Sequence, residues 1–546
     1  MTIHKLGPIR GAGLGEKLRP LLRKAALLSA AATIGASLMA TTVDAQTLRA
    51  VKHSALRVLD PIITTAYMSR NHGYMVYDTL VAMDANFEVQ PQMASWEISE
   101  DGLTYTFTLR EGLKFHDGAP VTAEDVIASI KRWGERDGMG QKLMDFVAEM
   151  TADGEKVMVM KLKEPYGLVL QSLGKPSSNV PFIMPKRLAD TPSTEAVSDQ
   201  IGSGPFRFVA DEFQPGVITV YEKFEDYVPR DEPPSWGAGG KVVKVDRVEW
   251  VVMPDDQTTL SAIQSGEIDY WESPPADLLP IMQGNPDLTV RNQNLLGFQT
   301  IMRPNFLHPP MDNKLIRQAA LAALNQQDFM DAMIGNPDLY QLCGAMFICG
   351  TPLETAAGSD TLVHGSGMEK AKALLKEAGY DGTPVVVMHP TDVATLRTQP
   401  VVAAQALRDA GFTVDLQAMD WQTLVGKRAS QASIADGGWN MFFTNWVGAD
   451  VFNPIVNNMV NGRGPDDGGW FGWPTFPKAE ELRDSYARST DPAEQKKIAE
   501  ELQAFAYDEV MYAPIGQYIV PSIWTNTLEG VLDGPAPFFW NISKTE

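Results

Sequence analysis

Hydrophobic and polar side chains alternate along residues 104–110, and this is the clearest local pattern in the chain. Tyr105, Phe107 and Leu109 share one face of the segment, and the other face carries threonines and an arginine. A repeat of two residues is typical of a strand with one buried face. We therefore predict a half-buried strand here, followed after a turn by a short return strand at residues 113–115.

A helix should follow these strands, because the hydrophobic spacing changes to three and four residues. Thr122 stands where an N-terminal cap is expected, and Asp125 can complete a capping box. The predicted buried face of this helix consists of Val126, Ile127, Ile130 and Trp133.

The C-terminal half of the chain alternates strand and helix patterns. Residues 385–388 are wholly apolar, as in a strand that is covered on both faces. The amphipathic segments on either side end at Gly379 and Gly411, which are typical helix stops. This alternation predicts an α/β fold with a mixed or parallel sheet. Further strands are predicted at residues 156–162, 241–252, 267–272, 296–301 and 412–416, and further helices at 67–80, 257–265, 316–323 and 491–512.

Three segments carry a specific resemblance. They are LREGLKFHDGAPVTAEDV at 109–126, QSGEID at 264–269, and NFLHPPMDNKLIRQAALAAL at 305–324. The first closely resembles the signature of family 5 extracellular solute-binding proteins, the peptide- and nickel-type receptors of ABC importers. Its residues are mostly turn, cap and core positions, so it identifies the family and does not locate a ligand site.

The resemblance implies a two-lobe periplasmic binding protein fold of type II, similar to cluster C. It further implies an extra subdomain in the first lobe and a hinge of two crossing strands, and such a joint permits closure around a ligand. The expected divisions are a signal peptide at 1–45, lobe I at 46–80 and 196–295, an inserted subdomain at 81–195, lobe II at 296–512, and a return to lobe I at 513–546.

The first 45 residues have the pattern of an export leader. Basic residues precede the apolar run 25–40, and Val43-Asp44-Ala45 offers small residues at the cleavage positions. A membrane anchor is the alternative, but the run is shorter than the ~20 residues that span a bilayer. We expect cleavage after Ala45 and release into the periplasm.

Charge narrows the classes of partner. Without residues 1–45 the chain carries 40 basic and 66 acidic side chains, a net charge of −26. Such a surface repels nucleic acid and anionic lipid. It is compatible with a cationic or zwitterionic ligand.

The two cysteines, Cys343 and Cys349, are six positions apart in LCGAMFICGTP. In an exported chain a close pair is first interpreted as a disulfide. Half of a metal site is the alternative, but no histidine or further cysteine lies near enough to complete it.

The segment GGWNMFFTNWVGADVFNP, residues 437–454, is the main candidate for ligand contact. In peptide-type family members, a tryptophan and an aspartate follow the matching strand, and the aspartate pairs with the ligand's α-ammonium group. The resemblance therefore implies Asp450 as the anchor, with Trp446 as an apolar wall and Asn445 beside it. The alternative is that Asp450 only caps a turn, since the spacing from Trp446 is one residue longer than in the family pattern.

Two further groups are candidates for the cleft. Phe471 and Trp473 lie in a glycine-rich loop that could close over a ligand or simply plug the fold. Arg463 could take a ligand carboxylate or could be a surface charge. From the first lobe the resemblance turns four side chains toward the cleft, namely Thr65, Tyr67, Trp271 and Glu272.

These patterns and the resemblance predict a periplasmic receptor that closes on a small ligand and delivers it to ABC permease subunits in the inner membrane. The ligand they favour is a peptide or an amine-bearing solute. A receptor for a chelated metal such as nickel is the alternative. An enzyme on the same scaffold is a third hypothesis, but no nucleophile elbow or HExxH pattern is present. We expect a monomer without cofactor, resident metal or bound nucleic acid.

Overall fold

The computed structural model describes residues 46–365 and 367–545. The predicted export leader, residues 1–45, lies outside the described residues. Two large β-sheets organise the described chain. We call the part around the seven-stranded sheet lobe I and the part around the six-stranded sheet lobe II.

The seven-stranded sheet of lobe I is mixed. Its central strand, Thr47–Val51, runs parallel to both neighbours, Arg247–Val251 and Tyr270–Trp271. Leu48 and Ala50 on this strand are fully buried, so its apolar side faces the core. The strands in spatial order are Phe206–Phe208, Ile218–Lys223, Arg247–Val251, Thr47–Val51, Tyr270–Trp271, Ser522–Thr525 and Leu288–Arg291.

The six-stranded sheet of lobe II is mixed as well. The apolar strand Val385–Pro390 runs parallel to Val414–Met419 and is buried on both faces, as its sequence predicts. The strands in spatial order are Tyr340–Gln341, Ala513–Tyr518, Phe298–Pro304, Met441–Val447, Val385–Pro390 and Val414–Met419.

A four-stranded antiparallel sheet lies in the segment predicted as an inserted subdomain. Tyr105, Phe107 and Leu109 are buried on its strand Thr104–Leu109, which confirms the alternation. Its strands in spatial order are Ala94–Ile98, Thr104–Leu109, Val157–Leu162 and Val147–Asp153. Three two-stranded pairs complete the described strands: Asp78–Thr79 with Phe182–Ile183, Val81–Met83 with Val89–Pro91, and Leu528–Glu529 with Ser543–Lys544.

The predicted capping box is present. Thr122 and Asp125 exchange side-chain and backbone hydrogen bonds at the start of Ala123–Gly134, and the predicted apolar face of that helix is buried. Arg132 on this helix holds buried Asp60 through two bonds of 2.8 and 3.2 Å, which ties the subdomain to lobe I. The α-helices are Tyr67–Val76, Ala123–Gly134, Gly138–Phe146, Val169–Leu173, Lys186–Ala189, Asp256–Ser265, Leu279–Gln283, Lys314–Ala323, Gln326–Met333, Asp360–His364, Met368–Glu377, Gln399–Ala410, Trp421–Lys427, Pro477–Arg488 and Pro492–Glu509.

The chain crosses between the two sheets twice, through residues 292–297 and 519–521. The second crossing corrects the predicted return at 513, because Ala513–Tyr518 is still a strand of the lobe II sheet. Lobe I resumes only at Ser522–Thr525. Both crossings are short connecting segments between strands and not strands themselves.

Several predicted strands are shorter than expected. Residues 113–115 form one isolated bridge, between Lys114 and Pro120, instead of a return strand. The segment 241–252 is a strand only at Arg247–Val251, and 267–272 only at Tyr270–Trp271. These segments lack a partner strand along the rest of their length.

The structure joins Cys343 to Cys349, which confirms the predicted disulfide. No helix within residues 46–365 and 367–545 is long and apolar enough to cross a membrane.

Candidate functional site

A cavity lies where the two sheets meet, and we call it the inter-lobe cavity. Lobe I contributes Thr65, Tyr67, Arg70 and Glu272 to its walls. Lobe II contributes a second set, of which Trp421, Arg428, Asn445 and Trp446 matter below. The empty space between these walls, including the part open to solvent, is about 1030 Å³. A concave space enclosed by two lobes is a usual place for a small-molecule site.

The structure brings five of the predicted ligand contacts together in this cavity. They come from three separate parts of the chain and from both lobes, and they are Thr65, Tyr67, Glu272, Asn445 and Trp446. The loop after residue 60 and the helix Tyr67–Val76 supply the first two. The strand Met441–Val447 supplies the last two, near its end.

Asp450, the predicted anchor, lies behind this wall and is fully buried. Its Oδ2 atom accepts hydrogen bonds from the Tyr67 hydroxyl and from Ser177 Oγ, both at 2.8 Å. Tyr67 in turn accepts the backbone N–H of Val447 at 2.6 Å. Burial raises the pKa of Asp450 to about 6, and nearby Lys175 and Arg70 oppose that rise. Asp450 therefore contacts lobe I side chains and not the cavity.

Glu272 lines the cavity, but its charge is already matched. Lys52 Nζ lies 3.0 Å from Glu272 Oε2, and His53 Nδ1 lies 2.9 Å from the same oxygen. Burial by itself would raise the pKa of Glu272, but Lys52 and His53 outweigh it, so the pKa lies well below its ordinary value. Burial lowers the pKa of Lys52 to about 8, against the pull of Glu272.

Two arginines in the cavity wall were missed by the sequence reasoning. Arg70 lies on the helix Tyr67–Val76 and donates to Ser177 Oγ at 2.6 Å. Arg428 follows the helix Trp421–Lys427 and donates to Thr65 Oγ1 across the lobe boundary at 3.0 Å. Burial lowers the pKa of Arg428 to about 9, so the guanidinium remains charged at neutral pH.

Besides Asp450, four predicted contacts lie outside the inter-lobe cavity. Trp271 is buried beneath the lobe I sheet, because strand alternation turns its neighbours Tyr270 and Glu272 toward the cavity and Trp271 away. Arg463 bonds Asp145 and lies 3.5 Å from Glu480, so its charge is already paired.

Phe471 and Trp473, the remaining two, belong to a separate cavity together with Trp470. Phe471 nevertheless reaches the site indirectly, since the Cζ atom of Arg428 lies 4.8 Å from its ring centre. This contact places the aromatic loop behind the arginine and not in the wall of the inter-lobe cavity.

Within the described ranges no group of three or more His, Cys, Asp or Glu side chains could hold a metal ion.

Residues 88–470 match the family described as bacterial extracellular solute-binding proteins, family 5 Middle. The chain belongs to family 5. A relative from Sinorhizobium fredii, "Probable peptide ABC transporter periplasmic-binding protein y4tO", is 38% identical over 534 residues, which cover 96% of this chain and 99% of the relative.

Solved structures of similar fold support the two-lobe architecture of this family 5 chain. The binding protein AgaA of A. tumefaciens R10, in complex with agropinic acid, superposes with a TM-score of 0.77 at 21% identity, covering 92% of this chain and 99% of that one. A dipeptide-binding protein of Pseudoalteromonas sp. SM9913, in complex with Met-Leu, superposes with a TM-score of 0.75 at 19% identity. That match covers 92% of this chain and 100% of the other. At these identities the likeness concerns the fold alone.

Proposed function

We propose that this chain is the periplasmic receptor of an ABC importer, which captures one small solute in the inter-lobe cavity and delivers it to the permease. The proposal is supported mainly by the inter-lobe cavity, whose walls come from both lobes. A solute bound there would contact both lobes at once. The peptide class is proposed from the y4tO relative, whose printed name is that of a peptide transporter.

The receptor would act by affinity and by a shift in population. A solute that contacts both lobes favours the closed arrangement by the difference between its affinities for the closed and the open form. The permease would then recognise the closed arrangement. We propose that the receptor works as a monomer.

Calorimetry with defined peptide pools tests this function. We expect one solute per chain and loss of binding when Ser273, a half-buried residue of the cavity wall, is changed by Ser273→Trp. The matched control is Ser261→Trp, because Ser261 is exposed on the helix Asp256–Ser265, outside the cavity. Equal binding by both variants would contradict the assigned site.

The two other hypotheses from the sequence, a receptor for a chelated metal and an enzyme, are tested separately. Metal analysis of the purified protein would detect a metal-chelate ligand. Conversion of a bound solute to a product would reveal an enzyme.

A further inference from the structure

We infer that the captured solute is an acid whose carboxylate is held by Arg428, and that Asp450 fastens the two lobes instead of holding an ammonium group. This inference rests on the proposed function, because it assigns the chemical class of the solute in the same cavity. It departs from the amine-bearing ligand that the sequence predicts.

Asp450 is withdrawn from the cavity in this arrangement. Its Oδ1 atom has no hydrogen-bond partner in the described residues, but it is fully buried behind the wall and does not line the cavity. Asp450 belongs to lobe II, and both of its hydrogen-bond donors, Tyr67 and Ser177, come from lobe I and cover its Oδ2 atom. Ser177 also accepts from Arg70, so that guanidinium is linked to Asp450 through one hydroxyl. These four side chains form one hydrogen-bonded set across the lobe boundary.

Glu272, the acidic side chain in the cavity wall, already has two basic partners. Lys52 and His53 both contact Glu272 Oε2. The ammonium of Lys52 is further surrounded by aromatic rings, with ring centres of Trp250 and Phe539 at 5.2 and 5.1 Å. An incoming cation would therefore find no uncompensated carboxylate in the wall.

Arg428 has no counter-charge within the described residues, whereas Arg70 in the same wall is linked to Asp450 through Ser177. The Arg428 side chain is almost fully buried, and no carboxylate within the described residues reaches ion-pair distance of it. Its Nε atom has no hydrogen-bond partner there. Thr65 and the rings of Phe471 and Trp421 are its neighbours, and none of them carries charge.

A buried, unpaired guanidinium is costly, and a planar carboxylate is the partner that its fork of donors fits. The same wall contains a second unpaired donor, because the indole N–H of buried Trp446 also lacks a partner within the described residues. Both groups donate hydrogen bonds and neither accepts. The cavity is therefore suited to a solute rich in acceptors and carrying negative charge.

Matched ligand pools separate an acid from an amine. Four pools are titrated by calorimetry: free tripeptides, the same peptides with C-terminal amides, the same peptides with N-acetyl caps, and small mono- and dicarboxylic acids without amines. Amidation should lower affinity roughly 30-fold or more, as expected for removing one partner of a buried charge pair. Acetylation should change affinity by no more than about threefold, because the cavity wall offers the ammonium group no uncompensated carboxylate and an unpaired, solvated charge contributes little.

Variants assign the effect to Arg428. Arg428→Gln should lower affinity for the tightest-binding acidic pool roughly 30-fold or more, and Arg428→Lys should restore part of it. Asp450→Asn keeps an acceptor oxygen for Tyr67 and Ser177 and should cost far less. Arg57→Gln is the control, because Arg57 pairs with Asp420 at 3.4 Å between the lobes but does not line the cavity. Urea unfolding shows that each variant is folded.

The outcomes separate this inference from the receptor function. If the amidated pool binds as tightly as the free pool, or if Arg428→Gln leaves the affinity unchanged, the solute is not held by a carboxylate at Arg428 and the receptor function stands. If acetylation and Asp450→Asn both abolish binding, Asp450 is an ammonium anchor. If no pool binds to the wild-type protein, the receptor function itself is contradicted.

Discussion

Several buried charges of lobe I and its inserted subdomain occur as close opposite pairs. Besides Lys52 and Glu272, Lys175 lies 2.6 Å from Asp137 and Lys241 lies 2.7 Å from Asp78. Each pair keeps a charge in the interior without leaving it unmatched. Arg428 at the cavity has no such partner and its Nε atom makes no hydrogen bond within the described residues, which is why its position points to a ligand.

Removing one partner of such a pair should be strongly destabilising. Glu272→Gln leaves Lys52 buried against a neutral side chain, and we expect the free energy of unfolding to fall by about 3 kcal/mol. Urea unfolding of refolded, ligand-free protein measures it. The control is Glu149→Gln, which removes the half-exposed ion pair between Glu149 and Lys161. There we expect the free energy of unfolding to fall by less than ~0.5 kcal/mol. Equal losses at both sites would show that Glu272 is not holding a buried charge.

Asp450 should make stability depend on pH in a direction set by its raised pKa. The rise from 3.8 to about 6 corresponds to about 3 kcal/mol. Because its pKa is higher in the folded chain, Asp450 loses its proton less readily there than in the unfolded chain. The ionised carboxylate therefore destabilises the folded chain, and this penalty is complete above pH 6. The penalty disappears as the pH falls toward 3.8, where the carboxyl is protonated in both states. Asp450→Asn should therefore be more stable than wild type at pH 7.5, by up to about 3 kcal/mol.

The difference between the two unfolding curves isolates Asp450, because all other titrating groups are common to both proteins. The stability gain of Asp450→Asn should shrink steadily between pH 6 and pH 4. A gain that is constant over this range would mean that Asp450 is not ionised at neutral pH or that its pKa is not raised.

Individual contacts were predictable only where an identifiable strand or helix carried them. Tyr67 and Glu272 could be placed from the family resemblance, and Arg70 could have been found because it lies three residues beyond Tyr67 on one helix face. Arg428 had no such signal. Nothing in the sequence distinguishes it from the many arginines that remain on the surface.

At the scale of elements, the capping box of Ala123–Gly134 offers a clean test. Thr122→Ala removes the side chain that accepts from Asp125, and we expect a loss of about 1 kcal/mol in urea unfolding. The matched control is Thr398→Ala, because Thr398 also precedes a helix but makes no capping bond and its hydroxyl lacks a partner in the described chain. If both substitutions cost the same, the capping bond contributes nothing.

Long periodic segments were the predictable elements. The helix before Gly411 and the strand Val385–Pro390 follow from hydrophobic spacing and a glycine stop, both local properties. Short strands depend on a partner elsewhere in the chain. The strand Tyr270–Trp271 pairs over two residues only, and residues 113–115 form a single isolated bridge. Residue composition therefore predicted longer strands at both places than the structure has.

At the scale of the whole molecule, two short crossings and a set of contacts between the lobes hold the lobes together. The contacts include Gln422, which donates to the Ala55 carbonyl at 3.2 Å, and the ion pair between Arg488 and Glu164 at 2.9 Å. Both lobes could be foreseen from the family resemblance. The point of the second crossing could not, because Ala513–Tyr518 resembles a strand that could join either sheet.

The central claim is that the two lobes close on one small solute. Spin labels on cysteines introduced by Val252→Cys and Val401→Cys test it, because both valines are exposed and the nearby pair of Asp256 and Arg397, 3.9 Å apart, bridges the lobes. The native cysteines are in a disulfide and leave the labels specific. Pulsed electron resonance should show a longer, broader distance distribution without ligand and a shorter, narrower one with the pool that binds in calorimetry. An identical distribution for the free and the saturated protein would contradict the account.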